Sequence, residues 1–474
     1  MEFEAVIGLE IHIELKTKSK MFSSAPVTYG LEPNTQIELY DLGFPGVMPS
    51  VNKQAVISAI RVCHALNMKI DDTLMFDRKN YFYSDLSKGY QITQQFRPIG
   101  REGHLTIKTF EGEKDIGIER LHLEEDACKQ LHYSDYTLID YNRSGIPLIE
   151  IVSKPEIRSG EEAAKYVEKI RSIVTFLDVS NGKMEEGSLR CDTNVSVREK
   201  GSSDFGIKVE IKNVNGLTNI QRAIDYEIRR QTEILQKGEI VKEETRRYDE
   251  NKKITVLMRA KNDPVDYKYF TDANIAPIKL SKEFIQEAIS TSPELAEVKK
   301  IRYLSMGLNE YDSDLLISDV DLSKYFDEAV RSGANPKLLA NWINVNVRAS
   351  LKRLNISINE FPITPIHLAE LIKIIEKGKI SNVQARDLFM KMLEKKISPN
   401  KILEESDSTQ ISDMSTIQKL ILETISENEK SVIDYKNGNE RVVGFIVGQV
   451  LKKSAGKANP ALTSKLVLEE LKRR

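Results

Sequence analysis

The chain has 474 residues, 40% of them hydrophobic and 30% charged, with a formal net charge of −2. A single core rarely grows past roughly 250–300 residues, so two or more domains are expected, and the balanced charge excludes a global polyanion-binding field, leaving any nucleic-acid surface local. No run approaches the roughly 18 apolar residues of a membrane span, the opening MEFEAVIGLE has no basic region of a signal peptide, and Cys63, Cys128 and Cys191 form no CxxC pair; a cytoplasmic, disulfide-free protein with no membrane partner is expected.

Ala5 to Leu15 (AVIGLEIHIEL) alternates with period two: Ile7, Leu9, Ile11, Ile13 and Leu15 share one strand face, and Gly8, Glu10, His12 and Glu14 the other. Residues 53–68 carry apolar side chains at helical spacing. Leu121 to Asp126 ends an apolar strand in three successive carboxylates, and Leu148 to Val152 holds one acid, Glu150, in an apolar run. A buried, unpaired carboxylate costs several kcal/mol, so Glu150 needs a cation or donor beside it. A helix is expected over 161–177. Arg190 to Arg198 puts Arg190, Asp192, Asn194 and Ser196 on one face, Ile207 to Lys212 does the same for Lys208, Glu210 and Lys212, and another helix follows over 218–237.

The pattern turns almost wholly helical near Pro293. Thr364 before Pro365 marks a helix start, and Gly378 a stop. Glu404 to Ser415 reads as a linker. From Lys430 to Arg474 there are ten Lys/Arg against four Asp/Glu, and Asn459 with Pro460 repeats the capped start. Gly444 and Gly448, one turn apart, are expected to pack tightly against a neighbouring helix. The fold class is therefore α+β: an N-terminal cradle domain around a largely antiparallel sheet (1–293), an all-helical connector (294–405) and a small basic helical tail (406–474).

Carboxylates with one histidine suit a hard divalent cation such as Mg²⁺, whereas zinc more often takes His and Cys. Lys79, Lys88, Arg190, Lys208 and Lys212 could face phosphates, but there is no GxxxxGK[ST] or GxGxxG loop. The residues by themselves leave room for a metal–nucleotide site and for a stand-alone Mg²⁺-dependent ligase.

The motifs VIGLEIHIEL, FDRKNYFYSDLSKGYQITQ (Phe76 to Gln94), RLHLEEDACK (Arg120 to Lys129), DYNRSGIPLIEIVS (Asp140 to Ser153), KMEEGSLRCDTNVSVR (Lys183 to Arg198), EIKNVN, ETRRYDE and VVGFIVGQVLKKSAGKANP (Val442 to Pro460) resemble, in order and over the whole chain, those of the B-subunit family of tRNA-dependent amidotransferases. The resemblance implies a heterotrimer with an amidase A subunit and a small C subunit. It implies that ATP and Mg²⁺ activate the side-chain carboxylate of a misacylated tRNA, Glu-tRNA(Gln) or Asp-tRNA(Asn), for attack by ammonia. Position by position it gives Glu10, His12, Glu124, Glu125, Glu150, Asp192 and Glu210 as activation residues, with Glu10, His12, Glu125, Glu150 and Glu210 as metal ligands. Lys79, Lys88 and Arg190 are expected to contact phosphate or line the ammonia path; Glu14, Asp126 and Lys212 could equally serve structural ion pairs. Lys452, Lys453 and Lys457, in a tail that resembles a tRNA-contacting helical module, are expected to meet tRNA. Many family members carry a zinc site of four thiols. Here those positions hold Ser23, Ala25, Glu38 and Asp41, so no zinc is expected.

Overall fold

The computed structural model describes residues 2–110, 112–212, 214–260, 266–406, 413–436, 439, 441–454 and 457–473. They divide into two compact units, Met1–Ala296 and Glu297–Arg474. The strands, all in the first unit, are β1 (Phe3–Glu14), β2 (Lys69–Ile70), β3 (Thr73–Leu74), β4 (Asp77–Asn80), β5 (Tyr90–Thr93), β6 (Gly100–Thr109), β7 (Gly112–Glu125), β8 (Lys129–His132), β9 (Thr137–Asp140), β10 (Pro147–Ser153), β11 (Leu189–Glu199), β12 (Val209–Lys212), β13 (Glu244–Asp249), β14 (Ile254–Ala260), β15 (Phe270–Thr271) and β16 (Ile278–Lys279).

Nine of them form one sheet in the order β14-β13-β12-β11-β1-β10-β7-β6-β2. Every pair is antiparallel except β12 with β13, in agreement with the α+β class and the largely antiparallel sheet. β1 lies at its centre, and Ile7, Leu9, Ile11 and Ile13 are at most 1% exposed. Helices α1 (Lys53–Ala65), α2 (Gly160–Phe176) and α3 (Leu217–Gln236) contribute Ile60, Val167, Ile170 and Ile224 to the same core. Asn52 caps α1 by accepting from the N–H groups of Gln54 and Ala55, and Ser159 caps α2 from Glu162. The other face of β1 is left to polar side chains.

The second unit is helical and contains two separate apolar clusters, one between Tyr303 and Ile402 and one between Ile417 and Leu471. Thr364 caps the helix Pro365–Glu376, and Gly378 follows it at φ +64°. Asn459 accepts from Leu462 N–H at 3.0 Å to open the helix Pro460–Arg473. Half of the expected linker, 407–412, lies outside the described residues. One expectation is overturned: Gly444 and Gly448 are exposed, and a Cβ on either would meet nothing within 4 Å. Val442, Ile446 and Val450 form the buried stripe of that helix, and the glycines fall outside it.

Candidate active site

The strand registers lay the polar face out in rows. His12 of β1 stands opposite Glu150 of β10 and Arg190 of β11, and Glu150 stands opposite His122 of β7. In neighbouring rows Glu10 faces Asp192, and Asn194 faces Glu210. Residues of like parity on paired strands share a face, so His12, Glu150, His122 and Glu124 converge.

Nε2 of His12 lies 3.5 Å from Glu124 and 3.5 Å from Glu150. One ligand atom from each of His12, Glu124 and Glu150 can be chosen so that all three lie within 4.8 Å of one another. His122 completes the group, with Nε2 at 3.1 Å from Glu150 and 3.6 Å from Glu124. Burial opposes charge on His12, His122 and Glu150, but the pairing outweighs it. Glu150 would be pushed up by desolvation, yet the two imidazoles hold it well below the usual carboxylate range. Desolvation pulls His122 down while Glu150 and Glu124 raise it to about 9, and His12 is raised against burial by the same two acids. The lone acid of the LIEIV run therefore has its cationic partners. Sequence reasoning missed His122; the signal was its position two residues before Glu124 on one strand.

Beside this group lies a second acidic row. Lys212 bridges Asp192 at 2.9 Å and Glu210 at 3.1 Å; Asn194 donates to Glu10 at 2.9 Å and Thr245 to Glu210 at 3.0 Å. Glu10 and Glu210 thus belong to a neighbouring cluster rather than to the His12 group. Arg190 donates to Asp126 at 2.8 Å. Glu14, desolvated and next to Asp126, is pushed up to about 7.

Glu125 does not join its sequence neighbour. Period two turns it to the other face, where it accepts from Lys88 Nζ at 2.7 Å and from the Ile92 N–H at 3.0 Å. Its expected grouping with His12 and Glu150 fails for that reason. Lys88 Nζ also sits 4.8 Å from the Tyr40 ring centroid. Lys79 lies on the side of the carboxylates: Nζ is 4.7 Å from the Tyr267 ring, and Glu124, Tyr269 and Glu150 raise its pKa against desolvation. In the helical unit Lys452 is exposed, Lys453 pairs with Glu427 at 2.6 Å, and Lys457 is half-buried.

The four thiol-replacing positions do not stand as an empty cage. Ser23 donates to Asp41 at 2.9 Å, the Glu38 N–H donates to Asp41 at 2.9 Å, and Ser24 hydrogen-bonds Glu38. Asp41 also pairs with Lys20 at 3.2 Å, both side chains being at most 1% exposed.

With this geometry in place, comparison with known proteins gives the class. Residues 5–286 match the family model described as GatB/GatE catalytic domain, and residues 324–471 match the GatB domain; the chain belongs to that family. It is similar over its full length to the B subunits of the aspartyl/glutamyl-tRNA(Asn/Gln) amidotransferases of Geobacillus thermodenitrificans (strain NG80-2) and Geobacillus kaustophilus (strain HTA426). Each is 46% identical over 476 residues, covering 100% of both chains. The Bacillus cytotoxicus protein of that name is 45% identical over the same span.

Proposed function

We propose that this chain is the ligase subunit of a tRNA-dependent amidotransferase, converting the side-chain carboxylate of Glu-tRNA(Gln) or Asp-tRNA(Asn) to the amide. The carboxylate oxygen is a poor leaving group, and phosphoryl transfer from ATP makes it a good one. The γ-phosphoryl moves to that oxygen, giving ADP and an acyl phosphate. Ammonia then attacks the carbonyl carbon, inorganic phosphate departs, and the nitrogen sheds a proton. Such chemistry needs positioning and charge neutralisation rather than a protein nucleophile.

The observation that carries this reading is the His12–Glu124–Glu150 group on the polar face of the sheet. Two carboxylates and an imidazole whose donor atoms lie this close fit a divalent cation that takes the place of the His12 proton, and Mg²⁺ characteristically takes a few carboxylates and fills the remainder with phosphate oxygens and water. Bound there, it would neutralise phosphate charge. His122 steadies Glu150 from the far side. Lys79, on the same side as the acids, is placed for phosphate contact, whereas the buried Lys88–Glu125 pair offers a polar lining for ammonia. Glu10, Asp192 and Glu210 form the adjoining acidic patch, and Arg190 orients Asp126.

Ammonia supply from an amidase A subunit, with a small C subunit completing the heterotrimer in the cytoplasm, belongs to the same reading. The same reading keeps a three-part organisation (1–293, 294–405, 406–474) in which the tail meets tRNA through Lys452, Lys453 and Lys457. The decisive experiment is Glu150→Gln in the reconstituted amidotransferase, assayed with free ammonia. Amide formation should fall at least a hundredfold while tRNA affinity stays within about twofold, because the substitution removes one ligand charge and leaves the fold. Wild-type activity in this variant would remove Glu150 from the activation site.

A further inference from the structure

Helix α3 lays Ile220, Ala223 and Ile224 on the core, and the helical period carries the same buried stripe on to Glu227 and Gln231. The Glu227 carboxylate thus stands where the pattern calls for an aliphatic side chain, wholly covered and fully partnered. It accepts from Arg230 at 2.6 Å, from Gln231 at 3.0 Å and from the Thr255 hydroxyl at 2.9 Å, and Arg246 Nε lies 3.7 Å away. Arg246 in turn donates to the Thr255 hydroxyl and to the Thr255 carbonyl, each at 2.9 Å, and to Glu244 at 2.6 Å. One carboxylate therefore ties α3 to both strands of the β13–β14 ribbon, while the Gln231 amide ties the helix to the Val195 carbonyl of β11 at 3.1 Å.

β13 joins the sheet by running parallel to β12 over four residue pairs, an arrangement slightly less stable per residue than an antiparallel one. Its own pairing with β14 shifts register between Thr245 and Arg246. Thr245 stands opposite Arg259 and Arg246 opposite Leu257, with Met258 as the extra residue, and such bulges re-aim side chains. Thr245 and Arg246 are consecutive, so they point to opposite faces. Arg246 enters the Glu227 network. Thr245, buried on the polar side, donates to one oxygen of Glu210 at 3.0 Å, and Lys212 holds the other at 3.1 Å.

Replacing a buried ion pair by well-packed aliphatic side chains is often neutral or stabilising, so stability gives no reason for a carboxylate at position 227. We propose that Glu227 is a positioning residue for the amidation: through Thr255 and Arg246 it holds the bulged β13–β14 ribbon in the register that sets the Thr245 hydroxyl against Glu210. The assignment rests on the reading of Glu210 as part of the activation patch. Glu227 itself lies on the covered side of the sheet and meets no substrate.

The test uses the assembled amidotransferase supplied with free ammonia. Thr245→Val removes the hydroxyl that meets Glu210, Thr245→Ser keeps it, and Glu227→Gln and Thr255→Val each weaken the anchor behind it. A hydrogen bond to a charged group is worth about ten- to hundredfold, so Thr245→Val, Glu227→Gln and Thr255→Val should each lower kcat about tenfold, with Thr245→Ser within about twofold of the parent. A double-mutant cycle decides the route. Acting through Thr245, Glu227→Gln should lower kcat less than about twofold further in the Thr245→Val background; effects that multiply to about a hundredfold overturn the proposal. Thr255→Val, nearly isosteric, supplies the same cycle if Glu227→Gln fails to fold. Amide hydrogen exchange reads the anchor without the reaction. In Glu227→Gln or Thr255→Val the β13 amides should exchange about tenfold faster while those of β1 stay as in the parent, and unchanged β13 exchange overturns the proposal. Parent kcat in Glu210→Gln would instead sink the reading of Glu210, and the exchange result then stands by itself for the anchor.

Discussion

Lys20→Met should destabilise the first unit strongly, although Lys20 is not one of the candidate catalytic residues. Its ammonium is wholly buried, 3.2 Å from Asp41 and 3.1 Å from the Tyr141 carbonyl. Burial drags the Lys20 pKa down and the Asp41 charge opposes that pull. Removing the amine strands a carboxylate that is 1% exposed, with only Ser23 Oγ and the Glu38 N–H to solvate it. Breaking one side of a buried pair costs about 3–5 kcal/mol. With an unfolding entropy of about 2.1 cal/mol/K per residue, a unit spanning Met1–Ala296 loses roughly 1.6 °C of Tm per kcal/mol. The expected drop is therefore about 5–8 °C, read by calorimetry or circular dichroism. The double variant Lys20→Met/Asp41→Leu should recover part of it, because no charge is then left buried. A single variant melting within about 2 °C of the parent would refute the claim that this ion pair holds the loop where many relatives are expected to use thiolates.

The same loop should hold no stoichiometric zinc: Ser23, Ala25, Glu38 and Asp41 offer no soft ligand, and elemental analysis finding about one zinc per chain would contradict this. Deleting residues 408–474 should weaken tRNA binding and flatten its salt dependence, by about 0.9 in the log–log slope for each phosphate that the tail neutralises; turnover at saturating tRNA should stay within about tenfold, and an unchanged affinity and slope would make the tail an assembly element. All three cysteines are buried. Burial raises the Cys128 thiol to about 11 and lifts Cys63 and Cys191 above the usual thiol range, so at pH 8 they stay protonated and covered. Iodoacetamide should label none of them in the native protein and all three in denaturant; rapid native labelling at one site would show that its cover opens.

Period two along single strands is legible in the amino-acid order alone. It separates Ile11 and Ile13 from His12, and it isolates Glu150 as an acid needing a partner. The identity of that partner is not legible there, because it depends on which strands pair and in what register, and a single sequence does not state this. His122 is easily passed over beside three acids, although the same parity that marks Glu124 marks His122. Grouping Glu125 with Glu124 ignores that parity. In the helical part, caps are readable because they are local, as at Thr364 and Asn459. The glycine pair at 444 and 448 misleads because small size permits close packing but does not require it; the stripe Val442, Ile446, Val450 decides which face is covered.

The polar rows owe their geometry to the apolar ones. On the core face, Ile11 stands opposite Ile151, which stands opposite Leu121; Ile13, Ile149 and Leu123 form the next such row. All six are 0% exposed. The row His12–Glu150–His122 lies between them and points the other way. A slip of one residue in either pairing would carry charged side chains into the core and apolar ones out of it. Burying a carboxylate or imidazole without its partners costs several kcal/mol, and six interlocked aliphatic side chains resist the slip together. The packed face thus fixes the register, and the register brings His12, Glu124 and Glu150 within reach of one cation. Core substitutions in these rows, chemically remote from the acids, are expected to act on the reaction through that register.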